Sequence, residues 1–123
     1  PEIFELPPQL LGQGAFDADA GSLAGRPFPQ PRLTDGRLLD ELLGRRSAVI
    51  GSPDALAAAA PATAERWRRA DAIVIDRPDA PLRHWLEAHE ARAVILRPDR
   101  YIVGVARTGH DLDRISQHLP VAP

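Results

Sequence analysis

Residues Arg92–Ala106, RAVILRPDRYIVGVA, decide how this chain folds. Ala93–Leu96 is an unbroken apolar run, and Tyr101–Ala106 is a second one rich in β-branched and aromatic residues. Such residues suit a pleated, buried surface, so the stretch predicts two short strands. Between them stands Arg97-Pro98-Asp99-Arg100. Proline presets φ for the first central position of a type I turn, and aspartate suits the second. A two-residue primed turn needs positive φ where proline cannot go, so the loop must be three to five residues long. In its usual form the residue after the turn is left-handed. Here that residue is Arg100, at a cost of roughly 1 kcal/mol, and on backbone grounds alone Arg100→Gly should stabilise the turn.

Working outward from the hairpin, Thr108 can cap a last helix, with Asp111 three residues on as its capping-box partner. Leu112, Ile115 and Leu119 form its apolar stripe, and Pro120 ends it. Upstream, Leu82, Trp85, Leu86 and His89 fall at i, i+3, i+4 and i+7, predicting an amphipathic helix over Pro81–Glu90. Ala72–Ile75 and Ser47–Gly51 read as buried strands. Joined through a helix, they should run parallel and occupy the centre of the sheet. Ser52 or Asp54 can cap the alanine-rich helix between them, which Pro61 should end or kink. Leu38, Leu39, Leu42 and Leu43 make one face of a short helix over Arg37–Leu43 that stops at Gly44. Arg26–Leu33 alternates with proline and is expected to be extended, as polyproline or as an edge strand.

The alternation of elements gives an α/β fold: a mixed central sheet with flanking helices and a C-terminal β-hairpin plus helix. A β-α-β unit followed by β-β-α is the thioredoxin-like arrangement. The expected organisation is an extended arm over residues 1–25, a thioredoxin-like domain over 26–120, and a tail over 121–123. The arm carries Ile3, Phe4, Leu6, Leu10, Leu11 and Phe16, too apolar for a free linker, and should lie over a surface.

Composition narrows the chemistry. The chain has 123 residues, room for one domain, and a formal net charge of −2. That charge argues against a nucleic-acid partner or an anionic membrane surface. There is no cysteine, which excludes disulfides, thiolate metal sites and a redox C-x-x-C pair. No apolar stretch is long enough to span a membrane and no signal peptide is visible, so a cytoplasmic location is expected. Neither methionine nor lysine occurs. A chain beginning at Pro1 without methionine is expected to be part of something longer.

Individual candidates for chemistry are weak. His84 and His89 lie about 140° apart round a helix, and His110 and His118 near opposite ends of another, so neither pair has metal-ligand spacing. Asp76 and Asp79 follow a strand, where α/β ligand sites form, yet Arg77 and Pro78 beside them make an ordinary turn. Ser47, Ser52 and Thr108 lack any nucleophile context, and Gly12-Gln13-Gly14 precedes no helix. Arg66, Arg68 and Arg69 around Trp67 read as a solvated helix face, with Trp67 on the core edge or a partner. Trp85 reads as core or interface, and Tyr101 as packing rather than a proton donor. Catalytic, cofactor-binding and metal-binding residues are therefore all expected to be absent from this chain.

Two resemblances sharpen the picture. Gly25–Pro53, GRPFPQPRLTDGRLLDELLGRRSAVIGSP, resembles the opening of thioredoxin-like and peroxiredoxin-like domains. Redox-active relatives have a cysteine after the buried strand, where this chain has Ser52-Pro53-Asp54, and a cis-proline near Glu90–Arg92, where it has none. Second, Gly25–Leu33, LLDELLG at Leu38–Gly44 and ILRPDRYIVGVA at Ile95–Ala106 together resemble the C-terminal domain of FAD-dependent aromatic hydroxylases, the phenol hydroxylase and 3-(3-hydroxyphenyl)propionate hydroxylase type. That resemblance implies a parent flavoprotein monooxygenase, an oxidoreductase using FAD and NADPH, whose N-terminal FAD and substrate domain is not in this chain. It implies a structural or homodimer-forming role here and no catalytic residue. The alternative is a free-standing, redox-dead thioredoxin-like module that binds another protein.

Overall fold

The computed structural model describes residues 23–121. The expected arm over residues 1–25 lies almost wholly outside the described residues, as do the last two residues of the tail. In chain order the elements are α1 (Leu39–Leu43), β1 (Ala48–Gly51), α2 (Pro53–Ala57), α3 (Pro61–Arg69), β2 (Ile73–Ile75), α4 (Ala80–Ala88), β3 (Ala93–Leu96), β4 (Ile102–Ala106) and α5 (Gly109–Ser116). The four strands form one sheet in the order β2-β1-β3-β4. β1 and β2 are parallel, while β3 runs antiparallel to both β1 and β4. The β-α-β unit followed by β-β-α is thus present, in a mixed sheet compatible with a thioredoxin-like fold.

The strands β1, β3 and β4 are buried along their whole length, as continuous apolar runs require. Their alternate residues feed two cores. Ile50, Val94, Leu96 and Val105 face Leu39 and Leu43 of α1, Leu82 and Leu86 of α4, and Phe28 and Leu33. Val49, Ile95 and Val103 face Leu56 of α2, Trp67 of α3 and the Leu112–Ile115–Leu119 stripe that begins in α5. The register of β3 against β4 shifts between Ile95 and Leu96, which pair with Gly104 and Ile102. This bulge lets Val103 join the second core while Ile102 and Val105 both join the first. The indole Nε1 of Trp67 donates to Ser116 Oγ at 2.9 Å, a buried tie between α3 and α5.

Sequence expectations for β2 need correction. Of the two parallel strands only β1 is central, because the β3–β4 hairpin adds to its far side and leaves β2 at the edge. Val74 is accordingly 43% exposed. Arg26–Leu33 is extended but forms no regular strand. Its pairing is confined to the isolated bridges Pro27–Tyr101 and Arg32–Leu38, since Pro27, Pro29 and Pro31 supply no amide donors. Gly25 N and Phe28 N nevertheless donate to Ile102 O and Arg100 O, each at 2.8 Å, so this segment covers the β4 edge.

Helix boundaries follow from local chemistry. α1 starts two residues later than its leucine stripe suggests. Asp35 Oδ1 accepts from Arg37 N at 3.0 Å, holding a local turn in competition with the helix, and the Gln30 side chain takes the Asp40 amide at 3.1 Å. The alanine run splits at Ala58–Ala60 because the residue before Pro61 is driven out of the helical region: Ala60 has φ −65° and ψ 152°. Ser52 Oγ caps α2 by accepting from Ala55 N at 3.1 Å. Thr108 Oγ1 caps α5 by accepting from Asp111 N at 3.0 Å, as its sequence suggests. The Asp111 carboxylate, however, reaches past the cap residue to accept from Arg107 N at 3.0 Å. α4 stops at Ala88. Ala91 N then donates to Leu86 O at 2.8 Å and Glu90 N to Glu87 O at 3.1 Å, with Glu90 at φ +53°. This is a Schellman ending with glutamate where glycine is usual.

Candidate functional site

The two ends of the sheet are built differently. At one end lies the hairpin turn. Arg100 N donates to Arg97 O at 2.9 Å, closing the predicted turn, and Arg100 is left-handed at φ +70°. Its side chain supplies what the backbone reading omitted. Arg100 is only 7% exposed. Its Nε donates to Asp40 Oδ1 at 2.6 Å, and its Nη1 to Arg46 O at 2.8 Å and Arg97 O at 3.1 Å. Its Nη2 donates to Gly44 O. One guanidinium therefore ties the turn to α1 and to the carbonyls that follow it, where the positive charge also complements the helix dipole. Arg100 is left-handed as expected, but these bonds reverse the expected sign of Arg100→Gly, since the relief of turn strain comes with the loss of the side-chain donors.

At the other end, the carboxyl ends of β1 and β2, the chain opens into a groove of about 540 Å³. Topology creates it. α2 leaves β1 for one face of the sheet and α4 leaves β2 for the other, since Leu56 and Leu82 belong to opposite cores. Parallel α/β units leave a crevice at such a divergence. Pro53, Pro78, Leu86 and Ala91 give it apolar walls, and Arg77, Arg83 and Arg92 stand around them with Asp79 and Glu87. Arg83 Nη1 donates to Pro78 O at 2.9 Å. Asp79 is turned to structural use: its Oδ2 accepts from Thr34 N at 3.0 Å and Thr34 Oγ1 at 2.8 Å. Beside the groove β1 and β3 run close together, and a Cβ on Gly51 would lie 2.9 Å from Arg92 O and from Leu56 Cδ2 of the second core.

Of the positions that the sequence resemblance set against a redox cysteine and a cis-proline, Ser52, Pro53, Ala91 and Arg92 line this groove. Ser52 lines it with its hydroxyl committed to capping α2, and Ala91 and Arg92 occupy the approach to β3. Among the described residues no group of three or more His, Asp or Glu is placed to hold a metal. His89 packs against Trp85 in a tilted arrangement with ring centroids 4.4 Å apart, and Trp85 in turn meets Phe28 at 4.7 Å. His84 and His110 are exposed and in different helices. Asp79 lines the groove and Asp76 is not among its lining residues. Gly12-Gln13-Gly14 lies outside the described residues. The arginine lining was missed in the sequence because its members come from three separate segments. Among the described residues, no helix is long and apolar enough to cross a membrane.

Two comparisons bear on these features. Residues 70–121, from the end of α3 through α5, match the family described as HcaD C-terminal domain. The chain is also 30% identical, over 124 aligned positions, to the 3-(3-hydroxy-phenyl)propionate/3-hydroxycinnamic acid hydroxylase of Paraburkholderia xenovorans strain LB400. That alignment takes in 78% of this chain and 20% of the hydroxylase, so the chain corresponds to about one-fifth of that relative. The chain resembles the C-terminal domain of aromatic hydroxylases, as the sequence motifs suggested.

Proposed function

We propose that this chain is the C-terminal thioredoxin-like domain of a larger FAD- and NADPH-dependent hydroxylase of phenolic rings. Its role is structural: it covers the flavin and substrate domain and contributes to a homodimer contact. It contributes no catalytic residue, and the cofactors belong to the rest of the parent. The observation that carries this reading is the match over residues 70–121 together with a hydroxylase relative. The groove supports it from the chemical side. Where redox-active thioredoxin-like domains need a thiolate, this chain has a serine whose Oγ accepts the Ala55 amide.

The test is the reading frame that encodes this chain. It should carry a G-x-G-x-x-G segment after a strand near its start, and its purified product should hold FAD and oxidise NADPH faster when a phenolic substrate is added. A frame with no dinucleotide-binding segment, or a product without flavin, overturns the proposal.

A further inference from the structure

We infer that the groove at the carboxyl ends of β1 and β2 is a binding site for a small organic carboxylate, an acid with an apolar body. Its size falls within the range of about 300–1,000 Å³ usual for small-molecule sites. Its walls are chemically divided. Pro53, Pro78 and Leu86 offer apolar surface, and Arg77 and Arg92 offer guanidinium groups. A guanidinium matches a carboxylate through paired N–H donors, which gives orientation as well as charge.

These two arginines differ from most others in the protein. Arg100, Arg46, Arg37 and Arg114 spend their donors on Asp40, Asp71, Asp35 and Asp111. Arg83 and Arg107 donate to the backbone carbonyls of Pro78 and His89. The side chains of Arg77 and Arg92 show no such partner among the described residues, and they enter one crevice from different segments, the turn after β2 and the start of β3. The lining keeps a positive excess: Arg77, Arg83 and Arg92 stand against the two carboxylates Asp79 and Glu87.

The experiment is an amide NMR titration of the full 123-residue chain with phenylacetate, its neutral counterpart phenylacetamide, and inorganic phosphate. Phenylacetate should give saturable shifts at Ser52, Arg77, Ala91 and Arg92. Arg77→Gln combined with Arg92→Gln should weaken it at least about tenfold. Both residues are exposed and have no side-chain partner among the described residues, so this variant should keep the fold, which an unchanged spectrum elsewhere verifies. Phenylacetamide should bind no better than phenylacetate binds the double variant. Absence of saturable shifts, or equal affinity in the variant, overturns the inference. If phosphate binds the same residues as tightly as phenylacetate, the site reads charge alone and the apolar half of the inference fails.

Discussion

Arg100 and the pair Arg77 and Arg92 are the same residue type at opposite ends of one sheet, and they do opposite things. Arg100 is buried at a turn and surrounded by carbonyl oxygens and the Asp40 carboxylate, so every direction of its fork is used to hold the backbone. Arg77 and Arg92 line a groove, and among the described residues their side chains have no oxygen partner. The difference is one of topology. A hairpin turn packs onto α1 and closes, whereas diverging helices at the ends of parallel strands leave a crevice. Topology separates these three arginines, although Arg83 and Arg107 at the open end are still spent on the carbonyls of Pro78 and His89.

The comparison breaks most easily at Arg100. Arg100→Gly relieves a left-handed strain of about 1 kcal/mol but removes the donors to Asp40, Gly44 and Arg46. The net expected cost is roughly 2 kcal/mol, less than for a fully buried pair because Asp40 is half exposed and can be rehydrated. Urea unfolding measures it, and a midpoint at or above that of the unaltered chain would show that the closed end is not held by this side chain. Gly51→Ala tests how tightly the strands pack at the open end. The added Cβ would lie 2.9 Å from both Arg92 O and Leu56 Cδ2, so a loss of about 1–2 kcal/mol is expected, with amide shifts concentrated at Leu56, Arg92 and Ala93.

Glu90→Gly tests whether the open end carries strain without compensation. Glu90 is left-handed at φ +53° and its side chain is exposed, so unlike Arg100 it has nothing to lose. A gain of about 0.5 kcal/mol is expected once the greater freedom of glycine in the unfolded chain is set against the strain removed. The smallest effect is an acid one. The Arg107 amide beside Asp111, together with Arg114, holds its carboxyl below the ordinary value of 3.8. The folded value being the lower, this contribution is present above pH about 4 and is lost as pH falls further. Asp111→Asn should therefore make unfolding midpoints less dependent on pH below 4, and an unaltered acid slope would remove Asp111 from the account.

Much of the closed end could be read from the sequence. Pro98 and Asp99 prescribe the turn and place Arg100 in the left-handed region by local rules alone. The role of its side chain could not be read, because Asp40, Gly44 and Arg46 are distant in sequence and meet it only after the sheet has formed. The same limit applies to the groove. Asp76 and Asp79 mark the end of a strand where sites form, but Asp79 is drawn off to Thr34, and the arginines that line the crevice come from segments no spacing rule connects. The edge position of β2 was missed for a related reason: an apolar run says that a strand is buried on its faces, not which neighbours it has.

In the function proposed above, this chain lends shape and a binding groove, and flavin chemistry would reside in other parts of a longer protein. Titrating FAD with the isolated chain and following flavin fluorescence tests this most directly. The expected result is a signal unchanged beyond dilution. Saturable, stoichiometric quenching would contradict the account and place a flavin site within these 123 residues.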